Sequence, residues 1–291
     1  MNLGLVVTTL GRVEALGRLL DSLDGRLGDG DVLVLVAQDR HDEVAGLAAE
    51  RAARGMPVIV TTSERGASRG RNAGVAALPD GERLLSFPND TTWFPEGSVE
   101  WLRTHAAEIA AGSLAVVDEH GPKFDQPAPG TPLDRWTVWN VIEIGLLMRR
   151  SVFDGLGGFD PGIGTGATTP WQAGEGTDLL LRLLRDAPAE AADFVWVPLG
   201  TCLGGISDPH GLSTAARRRK LRAYGRGLGR LTARWRYPLW WRLAFIGGGL
   251  AFGLRNPATN SPGDGWSVFA GRLEGAVGRT FGAGPSTAVA R

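Results

Sequence analysis

Short apolar runs, each followed by a stretch of helical period, restrict this chain more than any other feature. Residues 3–7 read as a buried strand, and Leu16, Leu19, Leu20 and Leu23 then recur at helical spacing. Residues 32–36 and 58–60 repeat the strand pattern, with an alanine-rich helical stretch over about 42–54 between them. A glycine-rich turn opens a helix over 66–77, and further strands are expected at 84–87, 114–117, 143–148 and 194–197. Helices are expected from Trp101 onward and over 175–185. Strand and helix alternating through short turns predict an α/β fold, with a Rossmann-like, mostly parallel sheet and helices on both faces. At 291 residues the chain is long enough to bury a full core.

In such folds ligands bind outside the carboxyl ends of the strands, so the residues that end each strand matter most. The run 84–87 ends in Asn89-Asp90-Thr91-Thr92, between Pro88 and Pro95. Asp90 is thereby a carboxylate at the sheet edge, although Asn, Asp and Thr also build ordinary turns. Thr8 and Thr9 end the first strand, and Gln38 and Asp39 end the second. These four can hold a nucleobase and ribose by hydrogen bonds, and they can equally cap helices. The segment 65–74 carries Arg65, Arg69 and Arg71 among small residues. Small residues let a backbone approach a ligand, and arginines pair with phosphate oxygens. It lacks the Gly-Lys-Ser/Thr ending of a P-loop. Residues 157–174 are rich in glycine, which suits a mobile loop beside a ligand. Glu175 and Asp178 follow, three apart at a helix start and on one face. They suit the positive end of the helix dipole, and one of them can also serve as a general base.

Taken in order, 6–12, 68–74, 87–95, Gly157-Gly158-Phe159-Asp160-Pro161 and 174–179 resemble a family-2 glycosyltransferase over about residues 1–210. The resemblance implies a GT-A-type fold, a nucleotide-diphosphate sugar donor and an inverting direct displacement. It also implies Mn²⁺ or Mg²⁺ on the diphosphate, held by Asp90 and Thr91, with His210 completing the site. Thr8, Thr9, Gln38, Asp39, Arg65, Arg71, Asn89 and Asp90 would bind the donor. Glu175 or Asp178 would deprotonate the acceptor hydroxyl. Two positions depart from the family pattern. Its Asp-x-Asp is reduced to Asn89-Asp90-Thr91, one carboxylate where a hard cation wants several. Gly176 stands where a second acid is usual.

Charge divides the chain. Residues 1–210 hold 29 acidic and 17 basic side chains, and residues 211–291 hold 2 and 14. The basic residues of 217–234 alternate with Leu221, Tyr224, Leu228, Leu231 and Trp235, and an apolar segment of 239–254 follows. At 16 residues, interrupted by Arg242, that segment is short of the ~20 needed to span a bilayer. A C-terminal basic, amphipathic helical extension over 211–291 is expected to rest on a membrane surface. No nucleic-acid motif accompanies the charge. One cysteine, Cys202, permits no internal disulfide, and no charged segment precedes an apolar core at the start. The expectation is therefore a cytoplasmic enzyme, peripheral on the inner face of the cell membrane, with a lipid-linked or cell-surface glycan acceptor. A homo-oligomer is compatible with it. The incomplete acidic triplet also suits a member that binds a nucleotide sugar or glycan without turnover. A nucleotidyltransferase is disfavoured by the missing lysine-ended glycine loop.

Overall fold

A computed structural model describes residues 1–118, 121–205, 212–255, 257 and 259–282. The chain divides into two compact units: residues 1–65, 69–159 and 179–207, and residues 66–68, 160–178 and 208–291.

The first unit is built on the strands β1 (Asn2–Thr9), β2 (Val32–Ala37), β3 (Val58–Thr62), β4 (Arg83–Ser86), β5 (Thr92–Trp93), β6 (Ala111–Ser113), β7 (Val116–Asp118), β8 (Gly121–Pro122), β9 (Leu146–Arg149), β10 (Val195–Trp196) and β11 (Leu203–Gly205). Seven of them form one sheet in the order β10-β6-β9-β4-β1-β2-β3, and a smaller sheet runs β5-β11-β7-β8. In the large sheet β9 alone is antiparallel to its neighbours, so the expected mostly parallel arrangement is present. The helices are α1 (Val13–Leu23), α2 (His41–Ala52), α3 (Ala67–Ala76), α4 (Ser98–His105), α5 (Arg150–Gly155), α6 (Glu175–Asp186) and α7 (Pro188–Ala192), of which the first residues of α3, 67–68, and of α6, 175–178, belong to the second unit.

Alternation along β1 explains why helices cover both faces. Leu3, Leu5 and Val7 join Leu33, Leu35 and the leucines of α1 in one buried cluster, with Val99 and Leu102 of α4. Val6 and Thr8 face the other way, toward α3, and Gly4 lies against Leu78 just beyond it. That helix lies close because it has glycines where side chains would collide. A Cβ on Gly74 would stand 2.3 Å from Val6, and one on Gly70 would stand 2.5 Å from the Thr8 methyl.

Three expected strands are shorter than their apolar runs: 194–197 keeps only Val195–Trp196, and two others are interrupted. The run 114–117 is cut where the chain leaves the large sheet at Ser113 and enters the small one at Val116. The run 143–148 opens as a 3-10 turn over Glu143–Gly145, and its strand begins at Leu146. Both departures meet at one contact. The Leu114 N–H donates to the Gly145 carbonyl at 2.8 Å, and a Cβ on Gly145 would lie 2.6 Å from the Leu114 oxygen.

The second unit contains the C-terminal helical extension: α8 (Thr214–Arg234), α9 (Leu239–Phe252) and α10 (Pro262–Val277). α8 and α10 meet through glycines. A Cβ on Gly229 would lie 2.2 Å from the Arg272 carbonyl oxygen, on Gly271 2.1 Å from that of Arg222, and on Gly275 2.0 Å from that of Arg226. Glu274 of α10 is fully buried and accepts from Arg222 Nε at 3.0 Å and Arg226 Nε at 2.6 Å. Burial raises this carboxyl, but the hydrogen bonds from the two arginines outweigh it and hold the pKa below its ordinary value. Arg217 and Arg218 lie against Asp264, and Arg234 pairs with Asp160 at 2.7 Å. Five arginines of the basic extension thus have acidic partners inside this unit. Its excess charge is partly a packing device rather than wholly a surface for something else. Among the described residues no helix is long and apolar enough to cross a membrane.

Candidate active site

The turns after β1, β2 and β4 are brought together in the first unit. β1 pairs with β4, and the pairing is extended by a parallel bridge between Thr8 and Asn89, which sets Asp90 beside Thr9. The Thr9 hydroxyl donates to Asp90 Oδ2 at 2.7 Å and in turn receives the Gly11 N–H at 3.0 Å. Arg12 adds the charge. Its Nε donates to Asp90 Oδ2 at 3.2 Å, and its Nη2 forms a short ion pair with Oδ1. The Asp90 side chain is 2 % exposed, whereas that of Arg12 is 58 % exposed. A buried carboxylate is thus held by a threonine below and a guanidinium whose outer edge stays in water. The turn between them is fixed by Gly11, whose φ is +81°. Its missing Cβ leaves room for the Arg40 side chain, which donates from Nη1 to the Gly11 carbonyl at 2.9 Å.

Gln38 and Asp39 stand at the end of β2. The Gln38 amide nitrogen reaches Ser63 Oγ at 2.9 Å and the Glu64 carbonyl at 2.7 Å. Asp39 is exposed and forms a short ion pair with Arg65. The Arg40 N–H and the Arg65 guanidinium hold its carboxyl below the ordinary value, so it is ionised at neutral pH. Arg71 sits deeper, 4 % exposed, with its guanidinium 5.3 Å from the centre of the Phe159 ring.

Two of the sequence motifs prove to be each other's partners. Asn72 donates from Nδ2 to the Phe159 carbonyl at 2.8 Å and accepts the Phe159 N–H at Oδ1 at 2.9 Å. The Phe159 ring then packs edge-on against Phe87, at the end of β4. Arg71-Asn72-Ala73-Gly74 therefore clamps Gly157-Gly158-Phe159 by the Asn72 side chain on the Phe159 backbone and by Arg71 over the Phe159 ring.

In the second unit the segment expected to be a mobile loop is stitched together. Gln172, 3 % exposed, donates to the carbonyls of Ala167 and Thr169 at 2.8 and 2.5 Å and accepts the Gly166 N–H at 2.9 Å. The Gly164 N–H reaches the Trp171 carbonyl at 2.9 Å. The glycines serve close approach and positive φ rather than looseness, as Gly164 shows with a φ of +113°.

Glu175 and Asp178 start α6, as expected, but their surroundings differ. Asp178 is fully buried, accepts the indole N–H of Trp235 at 2.9 Å and has Arg234 Nη1 at 3.6 Å. Glu175 is 5 % exposed and lies against Gly164, where an added Cβ would stand 3.0 Å from its carboxyl carbon.

The metal set implied by the family resemblance is incomplete among the described residues. His210 lies outside them. Asn89 and Thr91 are half-buried, and the Asn89 carbonyl is taken by the Thr92 hydroxyl at 2.7 Å. No group of three or more His, Cys, Asp or Glu side chains that could hold a metal occurs among the described residues. Asp90, the one carboxylate of the turn, has both oxygens engaged by Thr9 and Arg12. Among the described residues this donor set does not fit a hard divalent cation, which wants several charged oxygens. Sequence reasoning passed over Arg12. The signal was present: a Gly-Arg pair directly after β1, the strand beside the one that ends at Asp90.

No protein-family model matches the chain, and no curated protein matches its sequence. Solved structures do. S. aureus TarS (residues 1–349) in complex with UDP-GlcNAc aligns with a TM-score of 0.58 at 10% identity, over 96% of this chain and 93% of that one. The mannosyltransferase PcManGT from Pyrobaculum calidifontis, in complex with GDP-Man and Mn²⁺, aligns with a TM-score of 0.54 at 13% identity, over 93% and 86%. The chain has the fold of these glycosyltransferases.

Proposed function

We propose that the chain is a family-2-type glycosyltransferase of the GT-A class, moving a sugar from a nucleoside-diphosphate donor to an acceptor hydroxyl with inversion. The observation that carries this is the Thr9–Arg12–Asp90 cluster at the carboxyl ends of β1 and β4. It occurs in a fold shared with proteins whose structures hold UDP-GlcNAc, UDP or GDP-Man. Gln38 and Asp39 would hold the nucleoside, and Thr8 and Asn89 would set the strand ends that carry its site. The leaving diphosphate needs positive charge near it as the anomeric bond breaks. Mn²⁺ is present in the Pyrobaculum protein. Here Arg12, Arg40 and Arg65 are cations on the turns after β1, β2 and β3, and Arg69 and Arg71 are cations on α3.

Glu175 is proposed as the base that takes the acceptor proton, and Asp178 as a structural anchor. Asp178 is fully buried with one oxygen committed to Trp235, which supports the division. Transfer from a panel of nucleotide sugars tests the whole. Glu175→Gln should reduce kcat by at least about a hundredfold, the usual weight of a general base, with an unchanged melting temperature. Asp178→Asn should lower the melting temperature first. If no nucleotide sugar is bound or turned over, or if both variants transfer like the wild type, the proposal fails.

A catalytic domain over 1–210 and a membrane-facing role for the extension over 211–291 belong to the same proposal. What supports lipid contact is the exposed face of α9 and its end, where Leu239, Trp240, Leu243 and Leu254 are each at least 60 % exposed. The acceptor would then be lipid-linked or at the cell surface, and the protein peripheral on the inner membrane face. Co-sedimentation with anionic vesicles, compared between wild type and Trp240→Glu/Leu243→Glu, checks this. Equal recovery of both proteins would remove it.

A further inference from the structure

Within the transferase reading, we infer that the diphosphate of the donor is received by Arg12 and that its binding needs no divalent cation. A guanidinium has five N–H groups in one plane. Arg12 spends its Nε edge on Asp90: Nε donates to Oδ2 at 3.2 Å and Nη2 to Oδ1. The second hydrogen of Nη2 and the outward hydrogen of Nη1 remain on the outer edge of the fork, on a side chain 58 % exposed. That edge matches two phosphate oxygens in the bidentate geometry that favours arginine over lysine.

Asp90 orients this fork. Its own position is over-determined, since it is 2 % exposed and Thr9 donates to the same Oδ2 at 2.7 Å. A cation held by Asp90 would compete with Arg12 for its oxygens and would find no second carboxylate in the turn. Replacing Arg12 by a metal therefore loses a charge-assisted pair and gains a poorly furnished site. The other arginines are less suited: Arg40 is paired with Glu43 and the Gly11 carbonyl, and Arg69 with Glu64. Arg65 is paired with Asp39, and Arg71 is buried over Phe159.

The reading is tested by calorimetric titration of the full chain with UDP and GDP, and with uridine and guanosine, in EDTA and in millimolar Mn²⁺. For the wild type, the better nucleoside diphosphate should bind within about twofold in the two buffers. Arg12→Ala should weaken it at least about tenfold, equivalent to 1.4 kcal/mol, and leave the matching nucleoside unchanged. Arg12→Lys should recover part of the loss. Because Arg12→Ala strands a buried carboxylate, the double variant Arg12→Ala/Asp90→Asn is measured beside it and should show the same loss with a restored melting temperature. A Mn²⁺ gain of tenfold or more in the wild type, or wild-type affinity in both Arg12 variants, overturns the inference and leaves the transferase reading standing. If neither diphosphate binds in either buffer, both fall.

Discussion

The first unit packs Leu5, Leu33 and Leu35 to complete burial inside its sheet, whereas in the second unit α8 and α10 approach through glycines, main chain against main chain. In one, order comes from apolar side chains that fill space. In the other it comes from side chains that are missing, with a buried ion cluster at Glu274 fixing the register. The two architectures should respond differently to the same kinds of substitution.

The largest effect is expected where the helical unit hides a charge. Glu274→Ala leaves Arg222 and Arg226 without their shared partner and should cost about 3–5 kcal/mol in urea unfolding, the usual price of breaking a buried pair. A cost under about 1 kcal/mol would show that the pair is peripheral to the unit. The pairing also has a pH signature. The carboxyl is lowered when folded, against an ordinary 4.5. Its contribution is complete above 4.5 and is lost as the pH falls through the lowered folded-state value. Acidification should therefore destabilise the wild type more steeply than Glu274→Gln.

Leu35→Ala, in the aliphatic core, should cost about 2–5 kcal/mol by loss of transfer energy and cavity formation. Gly275→Ala sharpens the contrast, because helix propensity and packing give opposite signs. Propensity alone would stabilise by about 1 kcal/mol. The added Cβ would meet the Arg226 oxygen at 2.0 Å, so a net loss of about 1–3 kcal/mol is expected. Gly247→Ala, on α9 with nothing within 4 Å of the new carbon, should give the smallest effect and the opposite one, a gain of up to about 1 kcal/mol. Melting curves of the pair decide it. If both gain, the seam between α8 and α10 is looser than the structure has it.

The sheet was legible because strand and helix periods are written in neighbouring residues. Leu3, Leu5 and Val7 point one way by alternation, and Leu16, Leu19, Leu20 and Leu23 line one helical face. The carboxylate at the end of β4 followed from the same logic. Contacts made by side chains on distant backbone left no such trace. Asn72 reads as a small polar residue in a turn, and nothing periodic announces its two bonds to Phe159. Arg12 looked like a turn residue because its partner lies 78 positions away. Counting charge also misled in part. Arg234 finds Asp160, and the buried Asp264 and Glu274 draw two arginines each, so an excess along the sequence is smaller in space. The start of α10 carried a local signal that went unread: Ser261, Pro262 and Asp264 make a capping box with proline at the first turn.

A seam made of peptide groups carries little hydrocarbon out of water. Unfolding it should add little to the heat-capacity increment, which scales with apolar surface exposed. The leucine and valine interior of the sheet loses hydrophobic driving force on cooling, and the glycine seam has far less of it to lose. In a chilled solution under mild denaturant, amide exchange should therefore quicken first in β1 and β2, while α8 and α10 stay protected.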